Sequence, residues 1–125
     1  MESVAKFCQY NQPIKSIDFF NNDTKIIIGY ESGENVELVA IGECCSHSYF
    51  YNVESFKECV GKSIKSIDQD IDQDTTDLEN ELKCGETCIK IHLYKITFDN
   101  AETYDLIFVN ESNGYYNGWM EVKFP

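Results

Sequence analysis

Short runs of β-branched and aromatic residues, each stopped by a cluster of Asn, Asp, Gly or Ser, recur along most of the chain. That pattern constrains the fold more than any other feature, because it suits short strands joined by tight turns. Ile14 to Phe20 begins a strand, and Asn21-Asn22-Asp23 turns it. Thr24 to Tyr30 is the strongest strand of the first half, and Glu31-Ser32-Gly33-Glu34 leads into a second arm in which Val36, Leu38 and Ala40 alternate with Glu37 and Val39. Cys88 to Phe98, Thr103 to Val109 and Trp119 to Phe124 supply the strands of the last third.

One stretch breaks the alternation. Phe50, Val53, Phe56, Cys59 and Val60 recur at helical spacing, with Ser46 or Ser48 as the cap and Gly61 at the C′ position. The spacing predicts a helix over residues 48–60. The expected fold class is therefore α+β: a single twisted antiparallel β-sheet of about six or seven strands with one main helix packed on it. Ile14-Lys15-Ser16-Ile17-Asp18 recurs as Ile64-Lys65-Ser66-Ile67-Asp68, which reads as two strand openings with one local preference.

The 125 residues fit one globular domain, 1–125, with residues 1–13 as a lead-in segment and residues 68–82 as an acidic surface loop. At 42% hydrophobic, the chain has enough apolar residues for a core. It carries 22 acids against 10 bases, a net charge of −12, and every base is lysine. That field argues against nucleic acid, which needs clustered Lys and Arg. No apolar run reaches the ~18–20 residues of a membrane span. The first residues lack the apolar core of a secretory signal, so a cytoplasmic location is expected, with the six cysteines reduced and mostly buried.

Four constellations invite chemical readings. Asp68, Asp70, Asp72, Asp74, Thr76 and Glu79 match the oxygen spacing of an EF-hand loop. However, Gln73 stands where a glycine is needed, and a strand-like segment precedes the loop. The calcium candidate is thus a weak one, against a plain solvated acidic loop. Glu43, Cys44, Cys45 and His47 form a second cluster, and Cys84 with Cys88 adds a pair that would complete a tetrahedral zinc site. A third reading makes Cys44 or Cys45 a nucleophile with His47 or His92 as base. Adjacent cysteines chelate one ion poorly, and buried structural thiols are the simpler alternative. Fourth, Asn110 to Trp119 carries Asn113, Tyr115, Tyr116 and the single Trp119 among glycines. Trp119 shares a strand face with Glu121 and Lys123, a hint of a binding surface as against a ring covering bare sheet.

Two of these segments carry a resemblance. Gly42-Glu43-Cys44-Cys45-Ser46-His47-Ser48-Tyr49 is similar to a Gly-Asp-Cys-Cys-Ser-x-Ser-Trp motif, and Asn110-Glu111-Ser112-Asn113-Gly114-Tyr115-Tyr116-Asn117-Gly118-Trp119 to Asn-Ser-Ser-Asn-Gly-Tyr-Tyr-Gly-Gly-Trp. Both motifs resemble those of a family of small phage and bacterial domains known as a domain of unknown function, over most of residues 14–122. The departures are Glu43, Tyr49, Glu111 and Asn117. The resemblance implies a compact antiparallel fold and a phage or prophage origin, and it supplies no catalytic residues. It also implies that the two motifs meet, with Cys44 and Cys45 behind a surface of Tyr115, Tyr116 and Trp119.

The function expected on these grounds is non-enzymatic: an acidic interaction or inhibitor protein that binds a basic host protein, with no cofactor. The alternatives are a small-ligand, nucleotide or metal binder using the aromatic loop or the Cys-Cys-Ser-His segment, and a thiol or metal enzyme using Cys44, Cys45 and His47.

Overall fold

The computed structural model describes residues 2–83, 85, 87–114 and 116–125, Glu2 by its backbone alone. Among the described residues the chain forms nine strands: β1 (Glu2–Lys6), β2 (Ile14–Phe20), β3 (Lys25–Tyr30), β4 (Asn35–Gly42), β5 (His47–Tyr51), β6 (Ile64–Asp70), β7 (Cys88–Phe98), β8 (Thr103–Ser112) and β9 (Gly118–Lys123). They build two antiparallel sheets, ordered β1-β6-β7-β8-β5 and β2-β3-β4-β9.

The two sheets bury their inner faces against one another. Ile26 and Ile28 of β3, Val36 and Leu38 of β4, and Met120 of β9 share one core cluster with Ile67 of β6, Tyr94 and Ile96 of β7, and Leu106 and Phe108 of β8. This is a sandwich. It corrects the expected single sheet under one main helix. The inward apolar set is too large for one helix to cover, so the alternating strands find their cover in a second sheet.

The helix expected over 48–60 is also corrected. His47–Tyr51 is β5 and pairs with β8, from His47↔Glu111 to Tyr51↔Ile107. Asn52 at φ 55° ends the strand. A 3-10 helix, Glu54–Cys59, follows and buries Phe56 and Cys59. The apolar spacing explains the change: Phe50, Val53, Phe56 and Cys59 recur every third residue. That is the period of a 3-10 turn, whereas an α-helix advances by 3.6.

The repeated Ile-Lys-Ser-Ile-Asp pentapeptide opens β2 and β6, and the ladder slips at the same place in both, between Ile14 and Ser16 and between Ile64 and Ser66. The extra residue turns isoleucines three apart onto the same face, and all four are buried. The first opening is tied to the residues just before the second: Ile14 N–H donates to Lys62 O at 3.0 Å and Gly61 N–H to Ile14 O at 2.8 Å.

The lead-in segment contains β1, which pairs with β6. The acidic stretch ends β6 and then forms α1 (Thr76–Leu82). Leu78 and Leu82 of α1 lie against Ile89, Ile91, Leu93 and Val109 on the outer face of the five-stranded sheet. No helix among the described residues is long and apolar enough to cross a membrane.

Candidate functional site

The short link between β4 and β5 carries the chain from one sheet to the other, and there the two motifs meet. Gly42 pairs with Gly118 in the β4–β9 ladder. A Cβ on Gly118 would overlap Ser48 Oγ and Asn110 Oδ1, so only glycine leaves room for that pair. Asn110 is fully buried. Its Oδ1 accepts the Ser48 hydroxyl at 2.8 Å, and its Nδ2 donates to Tyr116 O at 3.0 Å. One amide from the five-stranded sheet thus holds the loop that leads into β9.

Glu43 completes the junction. Its N–H donates to Asn117 O at 2.9 Å, and its carboxylate accepts the Asn117 N–H at 2.7 Å. The motif glutamate is therefore a backbone clamp. Ser46 N–H and Ser46 Oγ–H both donate to Glu43 O, at 3.0 and 2.7 Å, closing the turn on Cys44 and Cys45.

Cys44 and Cys45 are exposed, which corrects their expected place behind the aromatic surface. Cys8 and Cys88 are exposed as well and Cys59 is buried, so the expectation of mostly buried thiols fails among the described cysteines. His47 stands at the start of β5 with its side chain 65% exposed and Nδ1 3.7 Å from Glu111 Oε2. The other oxygen of Glu111 accepts the Tyr49 hydroxyl at 2.8 Å. Burial first, and that bond second, push Tyr49 up to about 12. His92 is not brought to this place. It lies among the core rings, 5.7 Å from Phe108, with Nδ1 2.9 Å from Gln69 Nε2. Burial lowers its pKa.

Of the remaining candidates, Asn113 and Trp119 are exposed and Tyr116 is half-buried. Tyr115, like Cys84, lies outside the described residues. Trp119 stands opposite Ile41, and its Nε1–H donates to Glu121 Oε1 at 3.3 Å. The next N–H, of Met120, donates to the Tyr94 hydroxyl at 3.2 Å.

The calcium candidates take local partners. Asp70 accepts the Asp72 N–H at 3.3 Å. Asp74 accepts the Thr76 N–H and hydroxyl at 3.0 and 2.6 Å, which lowers its pKa. Glu79 accepts the Thr75 hydroxyl at 2.7 Å. Asp68 pairs across the ladder with Lys95. Among the described residues no group of three or more His, Cys, Asp or Glu could hold a metal ion, and this covers the Cys44, Cys45, His47 and Cys88 set as well.

Ser48, which the sequence suggests as a helix cap, and Asn110, which it offers only as part of a motif, carry the junction. The signal available was a polar residue in each motif at a position that strand alternation turns inward.

No solved structure matches the chain. A viral protein, the uncharacterized protein L278 of Acanthamoeba polyphaga mimivirus, is 35% identical over 105 residues, covering 81% of this chain and 77% of its own length. Of the expected phage or prophage origin, the comparison shows only the coarser fact that a relative is viral. A family model matches residues 8–122, nearly the whole sandwich with the junction of the two motifs inside it, and the chain belongs to that family, described as a domain of unknown function, DUF7448.

Proposed function

We propose that the protein is a non-enzymatic interaction module that binds a partner protein with a basic surface, using the outer face of the four-stranded sheet. The supporting observation is Trp119. The single tryptophan is 41% exposed on that face beside Glu121 and Ile41. Phe20, at 45%, is exposed on the same sheet, and Ile27, Val39 and Ile41 are half-buried. A large ring among apolar neighbours and carboxylates has the composition of a binding hot spot. The net charge of −12 favours encounter with a basic partner.

The test is capture by immobilised protein from host lysate, run side by side with Trp119→Ala. The expected result is a partner held at low salt, weakened as screening shortens beyond ~8 Å, and lost with Trp119→Ala by at least ~30-fold. A partner retained equally by both proteins would remove Trp119 from the reading. A melting temperature raised by a nucleotide, with no partner captured, would favour a small-ligand binder instead.

A further inference from the structure

The turn between β4 and β5 sets two thiols side by side. Because Glu43 O accepts the Ser46 N–H at 3.0 Å, Cys44 and Cys45 are its central residues. Cys45 lies at φ 70°, as the third residue of a type II turn does. The two Sγ atoms are 3.4 Å apart and both residues are exposed. The bonds from Glu43 to Asn117 anchor the start of the turn to the loop before β9. Beside Cys45 opens a groove of about 450 Å³ lined by Cys45, His47, Thr87, Glu111, Ser112 and Asn113. The groove is shallow and open to solvent, so a small disulfide can approach Cys45 from outside.

We infer that Cys44 and Cys45 form a reversible two-thiol redox site whose substrate is a low-molecular-weight disulfide of the glutathione class. The Cys45 thiolate, on the groove side, attacks one sulfur of the substrate. The substrate S–S bond breaks, a mixed disulfide forms on Cys45, and one thiolate leaves. The Cys44 thiolate then attacks Cys45 Sγ. The Cys44–Cys45 bond forms as the mixed disulfide breaks, and the second thiolate leaves. Two electrons pass from the pair to the substrate, and the two protons shed by the cysteines end on the two departing thiols.

Adjacent Cα atoms are only ~3.8 Å apart, shorter than the ~4.4–6.8 Å that disulfides favour. The bridge is therefore strained, and excess thiol reopens it. The dithiol is the resting form, and the site responds to an oxidising glutathione poise.

The experiment exposes the full chain to oxidised glutathione and maps the products by intact mass and peptide mass. In the wild type, the peptide holding residues 44 and 45 is expected to lose two hydrogens and to recover them in excess reduced glutathione. In Cys44→Ser, Cys45 has no resolving thiol and should hold a glutathione adduct, on the order of ten-fold more than in the wild type. Cys44→Ala, which also removes the resolving thiol and keeps Cys45, gives the same comparison if the first variant folds poorly. Exposed Cys8 is the internal reference for reactivity. Equal adduct at residues 44–45 in wild type and variant would overturn the inference. So would an unmodified pair while Cys8 reacts, or a bridge from either cysteine to Cys88 or to a second chain.

Discussion

The outer faces of the two sheets meet solvent in opposite ways. On the five-stranded sheet, Ile89, Ile91, Leu93 and Val109 are buried, with Leu78 and Leu82 of α1 and with Tyr49 and Tyr51 packed against them. On the four-stranded sheet, Phe20 and Trp119 are exposed, while Ile27, Val39 and Ile41 are half-buried. There the charged neighbours pair across the ladder, as Lys25 does with Glu37 at 2.7 Å. The difference explains α1. Seven residues, four of them acidic or amide and none basic, are too short to hold a helix alone. The helix exists because Leu78 and Leu82, four residues apart, find an apolar strand face to cover. It also explains why the buried residues of β7 change face along the strand: Ile89, Ile91 and Leu93 are buried on the side that α1 covers, whereas Tyr94, Ile96 and Phe98 are buried in the core between the sheets.

The contrast is broken most strongly by matched truncations. Leu93→Ala on the covered face should cost about 3 kcal/mol, since it removes a buried side chain that the strand cannot collapse around. Ile27→Ala on the open face removes a half-buried one and should cost about 1 kcal/mol. Urea unfolding of both variants measures the gap. Equal losses would mean that the two faces are equally covered.

Next comes the amide that ties the sheets together. Asn110→Ala leaves the Ser48 hydroxyl and Tyr116 O without their partner, in a place where Gly118 provides no side chain to fill the gap. A loss of about 2 kcal/mol is expected. Amide exchange should rise in β9 before it rises in β7, because β9 depends on the loop that Asn110 holds. Uniform exchange across both sheets would place the junction's contribution elsewhere.

A smaller effect separates α1 from the sheet it covers. The Asp74 carboxylate holds the first turn of α1 through Thr76, and those bonds lower its pKa from 3.8. A depressed carboxyl stabilises the folded state above its unfolded value and loses that contribution as pH falls through the folded value. Exchange in residues 76–82 should therefore quicken below about pH 3.8, and Asp74→Asn should remove much of that pH dependence. An α1 that loosens at the same pH in both proteins would assign the effect to other carboxylates.

These differences also mark what the sequence made legible. The strands over Thr24 to Tyr30, Thr103 to Val109 and Trp119 to Phe124 were readable because local alternation reports a half-buried strand directly. The second sheet was not, because alternation says that a strand has an apolar face and not which distant strand faces it. The helix expected over 48–60 failed on a difference of 0.6 residue per turn between two helical periods. The meeting of the two motifs was legible only through the family resemblance. Its means were hidden: Glu43 works through the backbone of Asn117, and Ser48 and Asn110 work on each other across 62 residues of chain.

The least disruptive change is also the sharpest probe of the open face. Trp119→Ala removes a ring that is 41% exposed and whose indole N–H donates to the exposed Glu121. Because β9 is held by its ladder with β4 and by Tyr94 at Met120, the strand does not need the ring. The melting temperature should therefore move by only ~2–4 °C, the shift of less than about 1 kcal/mol. A ring retained for stability would give the larger loss seen for Leu93→Ala. A ring that costs little to remove while binding is lost is one whose apolar surface serves a partner, and that outcome would set the open face apart from the covered one by function as well as by packing.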